Sequence, residues 1–145
     1  MHEFPVTVSV SGLEPEEYFV YLAPYSRRRQ GPEIIDDYLS SGRRFFPMIK
    51  EGAPKMIGRD QIIWVRCPRP SEDDASLDIT VIERIAIIEL ADGARIEGVM
   101  PIERPREQSR ISDVLNDPYE AFVRIDGEDA SYFVNKRFIR QVVPR

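Results

Sequence analysis

The 145 residues contain a single cysteine, Cys67, and a single histidine, His2. One thiol closes no intramolecular disulfide and fills no multi-cysteine zinc site. One imidazole near the start of the chain leaves most acid–base and nucleophilic constellations without their parts. No glycine-rich phosphate loop or dinucleotide fingerprint occurs. No apolar run approaches the ~18 residues needed to cross a bilayer, and Met1-His2-Glu3-Phe4-Pro5 lacks the basic-then-apolar order of a secretion signal. The expectation is a cytoplasmic, non-enzymatic protein with no cofactor, no metal site and no membrane span.

Lysine is also scarce: Lys50, Lys55 and Lys136 stand against 17 arginines. That bias fits bidentate anion recognition, but a genome's codon composition is its more frequent cause. Twenty basic against 25 acidic residues give a net charge of −5, which disfavours general attraction to polyphosphate, so no DNA partner is expected. Residues 1–70 carry 10 basic and 9 acidic side chains, and 71–145 carry 10 and 16, so the acidity lies almost wholly in the second half.

What is present is a repeated plan. Ile35-Asp36-Asp37-Tyr38-Leu39-Ser40 followed by Phe45-Phe46-Pro47-Met48-Ile49 sits beside Ile111-Ser112-Asp113-Val114-Leu115-Asn116 followed by Ala121-Phe122-Val123-Arg124-Ile125. Met56 to Val65 then lies against Phe133 to Val142, with one residue's difference assigned to the intervening turn. Identity is low, but order and spacing agree, as duplication requires. The division expected is a first copy at 1–67, a Pro/acidic linker at 68–78 and a second copy at 79–145.

Each copy reads mainly as strand. Val6, Val8 and Val10 alternate with Thr7, Ser9 and Ser11, the pattern of a half-buried strand. Short β-branched or aromatic runs follow at 19–22, 62–65, 85–90, 96–100, 121–125, 132–134 and 138–143. Asp92-Gly93 and Asp126-Gly127 signal hairpins, glycine supplying a positive φ. One short helical piece interrupts each copy. Ser109 is the expected cap of the second, with Ile111, Val114 and Leu115 on one face, and Ile35, Tyr38 and Leu39 repeat that face in the first. Helices of two turns do not stand alone in water, so both must dock by their apolar sides.

Two stretches of the second copy carry a family resemblance: Arg84 to Val99, with its Asp92-Gly93 turn and Gly98, and Phe133 to Pro144, with its Lys136-x-x-Ile139-x-x-Val142-Val143-Pro144 ending. They resemble the two signature motifs of Sm-like proteins, in particular the bacterial RNA chaperone Hfq. The resemblance implies two tandem five-stranded Sm-like or SH3-like barrels, each with one short inserted helix. It also implies an RNA-site role for Lys136. The chain departs from the pattern at 101–120, where a charged loop and helix are inserted, and at Arg137, which replaces a histidine. Independently of any family, Gly98 reads as a point where a Cβ would crowd a bent strand.

The candidate contact residues are basic. Arg27, Arg28 and Arg29, with Arg43 and Arg44 and with Tyr18, Tyr21, Tyr25, Phe45 and Phe46 around them, combine guanidinium and aromatic groups. Lys136 and Arg137 repeat the basic element in the second copy. The same residues also read as solvated loop tips around an aromatic core. Trp64 reads as an interface anchor or a core residue. The acid pairs Asp36-Asp37, Glu72-Asp73-Asp74 and Glu128-Asp129 lack the spacing of a calcium loop or of a catalytic pair. These residues point to a binding or assembly module that contacts a protein partner or a second copy of itself; a divergent Sm-like RNA binder is the alternative.

Overall fold

The structure, a computed structural model, describes residues 2–26, 31–69 and 81–145. It divides into two compact units, Met1–Val65 and Arg66–Arg145. Most of the segment expected as a linker lies outside the described residues.

The first unit runs β1 (His2–Val10), β2 (Glu16–Leu22), α1 (Ile35–Leu39), β3 (Phe45–Lys50), β4 (Ala53–Gly58), a 3-10 turn at Arg59–Gln61, and β5 (Ile62–Pro68), whose last three residues belong to the second unit. The second runs β6 (Ile82–Leu90), β7 (Arg95–Ile102), a 3-10 turn at Arg106–Gln108, α2 (Ile111–Leu115), β8 (Phe122–Asp126), β9 (Ala130–Asn135), a 3-10 turn at Lys136–Phe138, and β10 (Ile139–Pro144). The described chain is therefore mostly β, with two helices of 5 residues each. The neighbour order is β5-β1-β2-β3-β4 in one set and β10-β6-β7-β8-β9 in the other. Hydrogen bonding does not join the outermost strands of either set, so neither is closed by its backbone ladder.

Register corrects one detail of the repeat. Phe45 faces Gly58 and Phe122 faces Asn135, so Phe45 corresponds to Phe122 and not to Ala121. The extra residue lies between α2 and β8, and the β3–β4 and β8–β9 turns are equal in length.

Strand alternation sends Val6, Val8, Val20, Leu22, Phe46, Met48 and Ile57 into the first core, each at most 8% exposed. Helix α1 adds Ile35, Tyr38 and Leu39. Each such side chain contributes about 1.5–3 kcal/mol on burial. The Tyr38 ring stands 5.4 Å from that of Phe46, and its hydroxyl donates to the Pro47 carbonyl at 2.8 Å. Ala86, Ile88, Leu90, Met100, Ile102, Val123, Ile125 and Val134 form the second core.

The helix starts are built differently from the expectation. The N-cap of α2 is Arg110, not Ser109, whose hydroxyl instead donates to the Arg106 carbonyl at 2.7 Å. Asp37 and Asp113, third residues of their helices, accept from the N-cap amides of Ile34 and Arg110 at 3.3 and 3.1 Å. A carboxylate there also complements the positive helix end.

Two glycines set the course of β7. Gly93 turns the chain out of β6 at φ 91°. Gly98 lies against the β8 backbone so closely that a Cβ would stand 2.1 Å from the Asp126 carbonyl oxygen. Gly127, expected at positive φ, does not lie in that region; its amide donates to the Ala130 carbonyl at 2.9 Å within the β8–β9 turn.

Candidate binding surface

The basic residues nominated by the sequence fall into three situations. Arg27, Arg28 and Arg29 lie outside the described residues. Arg43 and Arg44 are exposed ahead of β3, with the Arg43 guanidinium 4.9 Å from the Tyr38 ring centre and the Arg44 carbonyl accepting from the Arg59 amide at 2.8 Å. Lys136 and Arg137 stand in the 3-10 turn between β9 and β10. Arg43 and Arg44 belong to the first unit, and Lys136 and Arg137 to the second.

Lys136 is committed to the chain's own backbone. Its ammonium donates to the carbonyls of Val114 at 2.6 Å and Asp117 at 2.9 Å, capturing the exit of α2. Burial pushes its pKa below the ordinary lysine value, with Asp117 and Glu120 opposing the shift. Asp117 accepts from the Tyr119 amide at 2.9 Å and pairs with Arg104, and the Tyr119 hydrogen bond leads the causes that lower its pKa. This polar latch explains how α2 stays docked while none of its residues is fully buried. Arg137 is exposed, and its amide donates to the Asn135 side chain at 3.0 Å.

The surface of which the sequence marked only the aromatics Tyr21 and Phe45 is the outward face of β1–β4. Pro5 pairs with Phe19, Phe19 with Ile49 and Ile49 with Pro54, so four apolar residues form one row across four strands. Because Phe46 and Met48 point inward at 0% exposure, Phe45, Pro47 and Ile49 point outward with their partners Gly58, Met56 and Pro54. These six positions carry no charged side chain. Phe45 is 61% exposed, Met56 66% and Phe19 46%, and Tyr21 on the same face of β2 donates to Glu3 at 3.3 Å. A solvated face of an antiparallel sheet is ordinarily polar; contiguous exposed apolar area of this kind marks contact surfaces.

The corresponding face of the second unit is chemically different. In place of Pro47, Ile49, Pro54 and Met56 stand Arg124, Asp126, Ser131 and Phe133. Arg124 donates to both Asp126 oxygens, at 2.9 and 3.2 Å, and the Ser131 hydroxyl donates to the same carboxylate at 2.7 Å. Phe122 and Phe133 are 7% and 4% exposed, with the Arg124 guanidinium 5.9 Å from the Phe133 ring centre.

Asp37 accepts from the Ser26 hydroxyl at 3.0 Å and serves α1, Glu128 and Asp129 are exposed in a turn, and the Glu72 cluster is outside the described residues. Cys67 is buried at the end of β5, and Trp64 is half-buried within it. Among the described residues no three His, Cys, Asp or Glu side chains gather as a metal site, and no helix is long and apolar enough to cross a membrane. No protein-family model, curated protein or solved structure matches the chain.

Proposed function

We propose that the protein is a non-enzymatic interaction module built from two small Sm-like or SH3-like barrels, with protein as its partner. The observation that carries this reading is the outward row Pro5–Phe19–Ile49–Pro54 with Phe45 and Met56 beside it, an uncharged patch on strands held rigid by the core beneath. Aromatic and methionine side chains on a rigid sheet supply contact area at low entropic cost. No group of side chains with the geometry of an acid–base pair or an activated nucleophile competes with it among the described residues.

RNA is the second reading, and the exposure of Arg43, Arg44 and Arg137 favours it. The engagement of Lys136 by two carbonyls weighs against an Sm-type uridine site at that lysine. Tagged full-length chain recovered from its own cells, with bound protein and bound RNA both analysed, separates the two. The protein reading expects a protein partner lost on Phe45→Asp or Met56→Asp and retained at raised salt. RNA lost on Arg43→Ala with Arg44→Ala, with affinity falling steeply as salt rises, would replace it.

A further inference from the structure

Among the described residues, the outward positions of β1–β4 carry charge of one sign only. Those of β3 and β4 are uncharged, and alternation with buried Val6, Val8, Tyr18 and Val20 adds two exposed carboxylates, Glu3 on β1 and Glu17 on β2. The neighbouring cations turn elsewhere. Lys50 and Lys55 share the parity of buried Met48 and Ile57, Lys50 pairs with Glu16 at 2.9 Å, and the Arg43 guanidinium lies against the Tyr38 ring.

Register places Glu3 opposite Tyr21 and Glu17 opposite Thr7, so the carboxylates stand on either side of the Pro5–Phe19 pair. They are separated by about 13 Å along the strands, at ~3.3 Å per residue. Phe19, Phe45 and Met56 supply the exposed apolar area on the same face. Strand backbones bond within the plane of the sheet, so the face itself offers side chains alone. A chain laid on it must satisfy its own buried backbone groups, which a helix does and an extended segment does not. An amphipathic helix covers the apolar residues with its stripe. Cations seven or eight residues apart on one flank of that helix, about 10–12 Å at ~1.5 Å per residue, come within reach of both carboxylates.

We infer that this face docks a basic amphipathic helix of a partner protein, its apolar stripe over Phe19, Phe45 and Met56 and its Lys or Arg side chains over Glu3 and Glu17. The inference rests on the protein-interaction reading and gives the partner a chemistry. The two carboxylates disfavour a polyanion on the same face. The chain's own described helices are not the occupant: each has 5 residues, too few for the span, and α1 is buried in its own core while α2 is held by Lys136.

A phage-displayed library of amphipathic peptides of about 16 residues, long enough to hold a helix, tests this on the full chain. Each peptide carries a fixed leucine stripe, with Lys, Glu, Gln or Ser at the flanking positions. Selected peptides should carry Lys at flanking positions seven or eight residues apart. The tightest of them should bind Met56→Asp about tenfold more weakly or worse. The double variant Glu3→Lys with Glu17→Lys should select Glu at those positions instead. All three sites are exposed, so thermal melts should match wild type; if a variant alters the melt, Phe45→Asp or Glu3→Gln with Glu17→Gln takes its place. No enrichment, enrichment without a cationic bias, binding indifferent to Met56→Asp, or an unchanged charge preference in the double variant would overturn the inference. Wild type that dimerises in sedimentation velocity, with the dimer lost on Met56→Asp, would give the face to a second copy and overturn it as well. If no helix is selected while Met56→Asp still abolishes recovery of a protein partner, the helix fails and the interaction reading stands.

Discussion

The ammonium of Lys136 lies 2.6 Å from the carbonyl oxygen of Val114, joining the turn after β9 to the last turn of α2. The contact is charge-assisted and partly buried, and it shares the Val114 carbonyl with the Asp117 amide, which donates to it at 3.3 Å. Lys136→Met keeps the aliphatic stem and removes the donors. It should cost about 2 kcal/mol, read as a lowered melting temperature, and should raise amide exchange selectively over 111–117. Unchanged exchange in that segment would show that the latch does not hold α2.

Gly98 and Gly58 separate crowding from conformational freedom. At Gly98 an added Cβ meets the Asp126 backbone at 2.1 Å, and a backbone neighbour cannot step aside as a flexible side chain can. Gly98→Ala should destabilise by about 2–3 kcal/mol. At Gly58 the nearest atom is Phe45 Cε1 at 3.5 Å, and the backbone there is extended at φ −66°. Gly58→Ala should therefore change stability by no more than about 0.5 kcal/mol.

Asp117 makes the latch sensitive to acid. Its pKa is lowered in the folded chain by the Tyr119 amide and Arg104, so its contribution is complete above the ordinary carboxylate value and is lost as pH falls through the lowered folded value. Melting temperatures of wild type and Asp117→Asn, taken from pH 7 down to pH 3, should differ at neutral pH and converge toward the acid end. A difference that stays constant across that range would contradict the assignment.

Tyr38 gives a test inside the first core. Tyr38→Phe retains the contact with Phe46 and removes the donor to Pro47, leaving that carbonyl without this partner. A loss of about 1 kcal/mol is expected in chemical denaturation, with the slope unchanged.

The legible parts of this fold were those where one residue type has one physical explanation. Val6 and Val8 alternate because one face of β1 is buried, and Gly98 is glycine because a backbone crosses it. β3 and β4 were recognisable as repeats but are absent from the runs read as strands; each carries a proline, and β4 is an outer strand, where a missing amide is tolerated. Lys136 read as a ligand-facing cation because sequence does not reveal which carbonyls lie beside an ammonium. The outward apolar row carried a signal, Phe45-x-Pro47-x-Ile49 and Pro54-x-Met56 alternating with the buried Phe46, Met48 and Ile57. It was obscured because apolar residues on both faces of a hairpin look like a single core.

Met56 offers the most direct measurement of the central claim, that the outward face of β1–β4 is a contact surface. It is 66% exposed, while Met48 and Met100, at 0% and 1%, serve as buried references in the same chain. Pulsed oxidation should modify Met56 readily in dilute purified protein and several-fold more slowly in concentrated native extract, with Met48 and Met100 unreactive in both. Equal oxidation of Met56 in the two conditions, against unchanged references, would contradict the account.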